Sequence, residues 1–213
     1  MNKSVEQTIA EGICESLSAG QGEKIWNVVM MDDNDSFYLY ETNNTKRKIH
    51  VWTSRYGLEK NKWEFFGAFP TQREFAYMVE DKIRVQDMFD SHASSSIRVN
   101  VTRGPNVVAN EIKRRLLPIY TEELNAGFDR INQELIRYDV ALHAAQHLLT
   151  LCPSVENRLT KPLRPGNNFE VTFYKENKFD LRIEVQVLRR PHEVVYNVTR
   201  GTLSLDALHT LAQ

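Results

Sequence analysis

The feature that most constrains the fold is an apolar stripe within residues 121–152. Apolar side chains recur there at alternating intervals of four and three residues: Leu124, Phe128, Ile131, Leu135, Tyr138, Leu142, Ala145 and Leu149. This heptad spacing is typical of a helix that packs along one seam over its whole length. It predicts one long central helix over about 122–151, with Thr121 as its N-cap and a length of about 42 Å.

A ridge of that length has to be covered by the rest of the chain or by another molecule. Around the C-terminal half, small and apolar neighbours such as Ala141 and Leu148 widen the stripe, which predicts burial in a bundle or against a sheet. The N-terminal half keeps a narrow seam, which favours contact with a partner or with a second copy of the chain in a homodimer. The predicted dimer interface consists of Leu124, Phe128, Ile131 and Leu135. The alternative is that helices predicted at 71–89 and 105–117 cover the whole ridge.

Around this helix the sequence predicts an α+β fold with antiparallel β-meander sheets and packed helices. A first helix, capped by Ser4, extends to about Ser18. Strand-like segments separated by turn-forming residues follow and indicate an antiparallel meander: 25–31, 36–42, 47–54 and 62–69. A helix from about Pro70 to Phe89 completes the first part of the chain.

The second part predicts a strand at 96–102 and a helix from Pro105 that Pro118 stops or bends. The long helix comes next. Three antiparallel strands and a short C-terminal helix are predicted after it: 169–175, 179–188, 193–199 and 203–212. A Ser-rich segment near residue 92 marks a candidate boundary, so the predicted domains are 1–92 and 93–213, with one continuous domain as the alternative.

The pentapeptide Asn-Val-Thr-Arg-Gly occurs twice, at residues 100–104 and 197–201. An alternating strand precedes both copies and a helix is predicted soon after each. We interpret the repeat as one strand-to-helix corner used twice, with a glycine that lets the backbone turn. The functional alternative is that Arg103 and Arg200, near helix N-termini, bind an anion.

Alternation in the predicted meander brings aromatic and basic side chains together. If Ile49 and Val51 face the core, their neighbours face outward, and the tyrosines of the preceding strand share that face. The predicted partner-binding surface consists of Tyr38, Tyr40, Lys48, His50 and Trp52. Such a surface suits a protein partner, because aromatic residues anchor interfaces, or a single-stranded nucleic acid, because bases stack on rings. The alternative is that helices cover both faces of the sheet and these aromatics are core.

Charge and motifs narrow the class of function. The 213 residues carry a net charge of −1, so no global field attracts nucleic acid or anionic lipid. Cys14 and Cys152 do not form a metal or redox motif, and His143 and His147 lack the Glu of a zinc-protease motif. The sequence has no recognisable nucleophile motif. We therefore expect no metal and no cofactor.

The N-terminal segment lacks the unbroken apolar run of a signal peptide, and no segment approaches the roughly 20 apolar residues of a membrane span. These features predict a soluble cytoplasmic protein without a membrane partner. We expect a non-catalytic binding or regulatory protein that acts through protein–protein contacts as a homodimer. A single-stranded nucleic-acid-binding protein is the first alternative, and an enzyme with a site assembled from distant residues is the second.

Overall fold

Antiparallel sheets with packed helices make up the chain, which confirms the predicted α+β class. The structure is a computed structural model. It describes residues 4–20, 25–31, 36–42, 47–53, 61–79, 82–89, 96–151, 158–160, 169–175, 178–187 and 193–200. The chain forms two compact units, one from residues 1–71 and 89–127 and the other from residues 72–88 and 128–213. Each unit has its own antiparallel sheet.

The first unit begins with helix α1 (Val5–Ser18), in which the Ser4 side chain accepts a hydrogen bond from the Gln7 N–H at 3.1 Å. The cap and the helix are where the sequence predicts them. Five strands form a meander in chain order: β1 (Trp26–Met30), β2 (Ser36–Glu41), β3 (Lys48–Thr53), β4 (Lys62–Gly67) and β5 (Ser96–Asn100). β5 completes this sheet, although the predicted division places its residues in the second domain.

The strand register sorts the side chains of this sheet into two sets. Phe37 pairs with Val51 and Leu39 pairs with Ile49, and all four side chains are fully buried. Helix α1 packs beside β1, and the helical residues 105–116 pack beside β4 and β5. One face of the sheet therefore forms the core of this unit, as alternation along half-buried strands requires.

Helix α2 (Gln72–Val79) belongs to the second unit and is shorter than predicted. The Gln72 side chain donates a hydrogen bond to the Ile83 carbonyl at 3.0 Å and accepts one from the Val85 N–H at 2.8 Å. These bonds hold the chain folded back on the first turn of the helix, and a 3₁₀ turn follows at Val85–Met88. The prediction of one helix over 71–89 is therefore wrong in its extent.

The long helix begins earlier than the sequence predicts. Helix α3 (Pro105–Glu111) passes through a π-helical turn (Ile112–Leu116) directly into helix α4 (Leu117–Leu151), which has 35 residues. Of the two outcomes predicted for Pro118, the stop is wrong, because the helix continues through the proline, and Thr121 lies inside α4 instead of capping it. In the π turn, the Leu117 N–H donates to the carbonyl five residues back. This wider turn precedes the proline, which has no N–H to donate, and allows the helical path to continue.

The buried side of α4 is rotated from the predicted seam. Its buried residues are Tyr120, Leu124, Gly127, Ile131, Tyr138, Ala141, Ala145 and Leu148. Alternate predicted positions are only half-buried: Phe128, Leu135, Leu142 and Leu149. At three of these places, the residue one position earlier is the buried one. Two of these three buried residues, Gly127 and Ala141, are small, so neighbouring elements can approach the helix closely at these positions. A hydrophobicity pattern does not predict such close approach, because it selects large apolar residues.

Tyr120, in the first turns of α4, attaches the helix to the core face of the first sheet. A β-carbon at Gly67 would lie 2.2 Å from the Tyr120 ring, so the ring rests directly on the strand backbone. The Tyr120 hydroxyl donates to the Ala68 carbonyl at 2.7 Å and accepts from the Lys48 N–H at 3.1 Å. One buried side chain therefore binds the backbone of two adjacent strand ends.

The second unit has a four-stranded sheet in chain order: β6 (Arg158–Thr160), β7 (Phe169–Lys175), β8 (Lys178–Val187) and β9 (Val194–Arg200). Its core joins the C-terminal half of α4 to β7 and β8, and the Tyr138 and Phe169 rings meet edge to face at 5.1 Å. This confirms that the C-terminal half of the long helix packs against a sheet. Strand β6 was not predicted, and the predicted helix at 203–212 lies outside the described residues.

Gly127→Ala tests the close packing on the first unit's part of α4. A β-carbon at residue 127 would lie 2.1 Å from Cε1 of Phe89, which is itself buried. We expect the variant to lower the free energy of unfolding by about 1–3 kcal/mol, even though alanine favours a helix more than glycine does. Denaturant unfolding measures the change.

Phe89→Ala provides the control, because it removes the ring that the new β-carbon would meet. The single variant is destabilised by the loss of a buried ring, by about 3–5 kcal/mol. In the Phe89→Ala background, Gly127→Ala should have little effect or should stabilise the protein, so the two substitutions are coupled. An equal cost of Gly127→Ala in both backgrounds would contradict the packing described here.

Candidate functional site

The second face of the first sheet carries aromatic, polar and charged side chains, and we call it the open face. Strand pairing arranges its residues in rows. The central row is Val29, Tyr38, His50, Phe66 and Ser96. The rows beside it contain Asn27, Tyr40 and Lys48 on one side and Trp52, Glu64 and Arg98 on the other. The structure therefore brings all five residues of the predicted partner-binding surface to one face.

Four aromatic side chains form a cluster at the centre of the open face: Tyr38, His50, Trp52 and Phe66. The Tyr38 and His50 rings stack with their centroids 4.6 Å apart and 21° between their planes. Trp52 meets both His50 and Phe66 edge to face, with centroids 5.9 Å apart in each pair. Aromatic pairs in such geometries contribute about 0.5–1.5 kcal/mol beyond the area they bury. The four rings therefore form one packed aromatic cluster.

Trp52 is the part of the cluster that water reaches most easily. Trp52 is 57% exposed, whereas Trp26 and Trp63 are buried. The indole Nε1–H of Trp52 donates a hydrogen bond to Nε2 of His50 at 3.1 Å. Because Nε2 accepts this bond, the neutral ring of His50 carries its proton on Nδ1. An ordered, exposed indole of this kind is characteristic of interaction surfaces.

Charged groups surround the aromatic cluster. The Lys48 ammonium lies 4.7 Å from the centroid of the Tyr38 ring, a cation–π contact. Across β4 and β5, a guanidinium nitrogen of Arg98 lies 3.2 Å from the Glu64 carboxylate, which also accepts a hydrogen bond from the Ser96 hydroxyl at 3.4 Å. The Arg98 side chain is mostly exposed, so this ion pair orients the two groups more than it stabilises the fold.

The residues of the open face that sequence reasoning missed include an aromatic side chain and an ion pair from β4 and β5: Phe66, Glu64 and Arg98. The signal was present in the segment Lys62–Gly67, where Trp63 and Phe65 are buried and alternate with Glu64 and Phe66. Two adjacent phenylalanines conceal this alternation, because both are equally hydrophobic. The pairing of β5 with β4, which places Arg98 beside Glu64, joins residues about 34 positions apart and has no local signal.

The two predicted anion-binding arginines lie in different local structures. In the first copy of the repeat, the Asn100 side chain accepts hydrogen bonds from the Thr102 N–H at 3.0 Å and the Thr102 hydroxyl at 2.8 Å. A 3₁₀ turn that contains Arg103 follows, and Gly104 has a φ of +92°. In the second copy, residues 197–200, which end at Arg200, belong to β9.

Residues 197–200 thus differ in structure from residues 100–103, contrary to the prediction of one corner used twice. The physical reason is tertiary, because pairing with β8 keeps the second copy extended. Gly201 lies outside the described residues. Anion binding by Arg103, which is exposed, and by Arg200 stays a prediction.

The four residues predicted for a dimer interface divide into two pairs in the folded chain. Leu124 and Ile131 are each 1% exposed, so the chain's own packing already covers them. Phe128 and Leu135 are half-buried. The dimer itself stays a prediction, and only the second pair is accessible to another molecule without rearrangement.

The remaining candidates for chemistry do not assemble within the described residues. His143 and His147 are exposed on α4, and the part of the chain that is described contains no group of three or more His, Cys, Asp or Glu suited to a metal ion. The sequence also offers carboxylates that could bind a hard cation, Asp32, Asp33 and Asp35, and these residues lie outside the described part of the chain. Among the helices of that part, none combines the length and apolar character needed to cross a bilayer.

Comparison with family models, with curated proteins and with solved structures finds no match for this chain. The fold and the site of the first unit can nevertheless be described in structural terms. The first unit is a five-stranded antiparallel meander with helices against one face and an aromatic cluster on the other.

The Trp52–His50 hydrogen bond can be tested by NMR of the indole proton. Protonation of His50 turns Nε2 into a donor and breaks the bond, so the Trp52 Nε1–H resonance should move as the pH is lowered. The resonance should lose this dependence in His50→Gln and keep it in His143→Gln, which changes an exposed histidine of α4. A Trp52 resonance that titrates equally in both variants would rule out the contact.

Proposed function

We propose that this protein is a non-catalytic binding protein that uses the open face of its first sheet to contact another protein. The observation that carries the proposal is Trp52, an indole that is 57% exposed yet held in place by His50 and Phe66. Tryptophan and tyrosine are enriched among the residues that dominate interface energies. Because their rings are already ordered, a partner would lose little side-chain entropy in binding to them.

The charge of the open face favours a partner with an acidic surface. Among the strand residues that the structure describes on this face, three are cationic, Lys48, Lys62 and Arg98, and one is a carboxylate, Glu64. The whole chain is nearly neutral, so this is a local excess of positive charge. Complementary charge around an apolar centre increases the association rate and suppresses wrong partners. We therefore propose a partner that presents apolar side chains bordered by Asp or Glu.

A single-stranded nucleic acid is the second candidate, because stacked rings beside cations also suit bases and phosphates. Two features make it the weaker one. One side of the Tyr38–His50 pair is used within the stack, so these rings offer bases less free surface than separate rings would. The Glu64 carboxylate lies in the same row as Trp52 and would repel a phosphate backbone placed there.

The wider proposal includes self-association and an intracellular, regulatory role. The narrow seam of the apolar stripe favours a homodimer. The sequence has no recognisable catalytic motif, which favours a regulatory role.

Site-specific photo-crosslinking in cells, followed by binding measurements with the purified partner, tests the main proposal. A photoreactive amino acid at position 52 should crosslink the partner, whereas the same group at position 119 should not. Ile119 is the matched control, because it is a comparably exposed apolar residue that lies on α4. With the partner in pure form, Trp52→Ala should weaken binding by roughly 30-fold or more, and Ile119→Ala should leave it unchanged.

Equal affinity of the Trp52→Ala variant and the unchanged protein would remove the open face as the binding surface. The nucleic-acid candidate is tested with the same two variants and a fluorescent single-stranded oligonucleotide. Tight binding that weakens steeply with salt and is lost in Trp52→Ala would favour that candidate over the protein partner.

A further inference from the structure

We infer that β1, at the edge of the first sheet, pairs antiparallel with β1 of a second copy of this chain. The sheet order makes β1 a terminal strand, and among the described residues no strand pairs with its outer side. An edge strand presents a row of main-chain donors and acceptors that another strand can use. The occupant that the sequence of β1 fits best is β1 itself.

The hydrogen bonds that flank β1 show which main-chain groups face outward. The Ile25 carbonyl accepts from the Thr42 N–H at 2.7 Å, and the Met31 N–H donates to the Ser36 carbonyl at 3.2 Å. Because bonding alternates along an antiparallel pair, the N–H and C=O of Val28 and Met30 point away from β2. Trp26 fits the same alternation, since its N–H donates outward to the Ser18 hydroxyl at 3.0 Å.

β1 lacks two of the features that usually protect an edge strand, charged side chains and proline. Its sequence, Trp-Asn-Val-Val-Met, has no charge and no proline, and its pairing with β2 is regular through all five residues. β5 at the other edge carries the exposed Arg98. Charged side chains and prolines commonly prevent an edge strand from pairing with another chain. β5 has such a charge and β1 has none, so β1 is the edge that can pair.

A two-fold axis through Val29 satisfies the outward groups without disturbing Ser18. In that register, Val28 of each copy pairs with Met30 of the other, which forms four main-chain hydrogen bonds. Trp26, whose N–H is already used, is left out. Val29 then faces its own copy across the axis in a non-hydrogen-bonded pair, where side chains approach most closely. Val29 is 48% exposed and uncharged, so this contact buries apolar surface without repulsion.

The proposed pairing continues the open face. The axis of an antiparallel strand junction is perpendicular to the sheet, so both copies present Tyr38 and its neighbours on the same side of one ten-stranded sheet. A junction of two five-residue strands is smaller than a standard stable interface, so we expect a dimer that dissociates on dilution. The inference concerns the edge and does not depend on what the open face binds.

Sedimentation velocity of the full chain over a concentration series tests this inference. The unchanged protein should show a reversible monomer–dimer equilibrium. Val29→Asp and Val29→Lys should each be monomeric, because two like charges would meet on the axis, and an equimolar mixture of the two should form a heterodimer. Dimer formation in the mixture shows that both variants are folded. Val29→Thr, which keeps the β-branch, should still dimerise.

A chain that stays monomeric at all concentrations would overturn the inference. So would a dimer that persists in both charged variants, or a mixture that fails to associate. If Phe128→Asp abolishes the dimer while Val29→Asp leaves it intact, self-association occurs through the long helix instead of β1. Trp52→Ala should not change the sedimentation of the dimer, which keeps this outcome separate from the test of the open face.

Discussion

The antiparallel pairing of β2 with β3 is the constraint on which the rest of the first unit depends. This register opposes Phe37 to Val51 and Leu39 to Ile49 on the core face, and it opposes Tyr38 to His50 on the other. A slip by one residue would exchange the two faces of a strand and bury the histidine and lysine. The cost of burying those polar groups and exposing the apolar ones fixes the register, and the register creates the aromatic cluster.

The second constraint is the close approach of aromatic side chains to the backbone at glycine positions, where no β-carbon blocks them. Tyr120 reaches the backbone of β3 and β4 because Gly67 has no side chain in its path, and Phe89 lies against α4 because of Gly127. These contacts select which side of the long helix is buried. The buried side of the helix is therefore rotated from the predicted seam, because close packing favours the side on which neighbouring groups approach most closely.

Local patterns predicted much of this structure, and the failures have identifiable causes. The cap at Ser4, the first four strands and the sharing of one face by Tyr38 and Trp52 follow from short-range chemistry and alternation. The predicted helix stop at Pro118 was wrong because a π-helical turn accommodates the proline. Residues 197–200 repeat residues 100–103 and yet form a strand, because their partner β8 decides their conformation. Glu64 and Arg98 were missed because long-range strand pairing brings them together.

The central claim is that the aromatic face of the first sheet is open to solvent. Quenching of tryptophan fluorescence by acrylamide tests it most directly, because Trp52 is exposed and the other two tryptophans, Trp26 and Trp63, are buried. The account predicts one readily quenched component, which disappears in Trp52→Phe while the two shielded components remain. Uniformly shielded emission in the unchanged protein, or a quenched component that survives in Trp52→Phe, would contradict it.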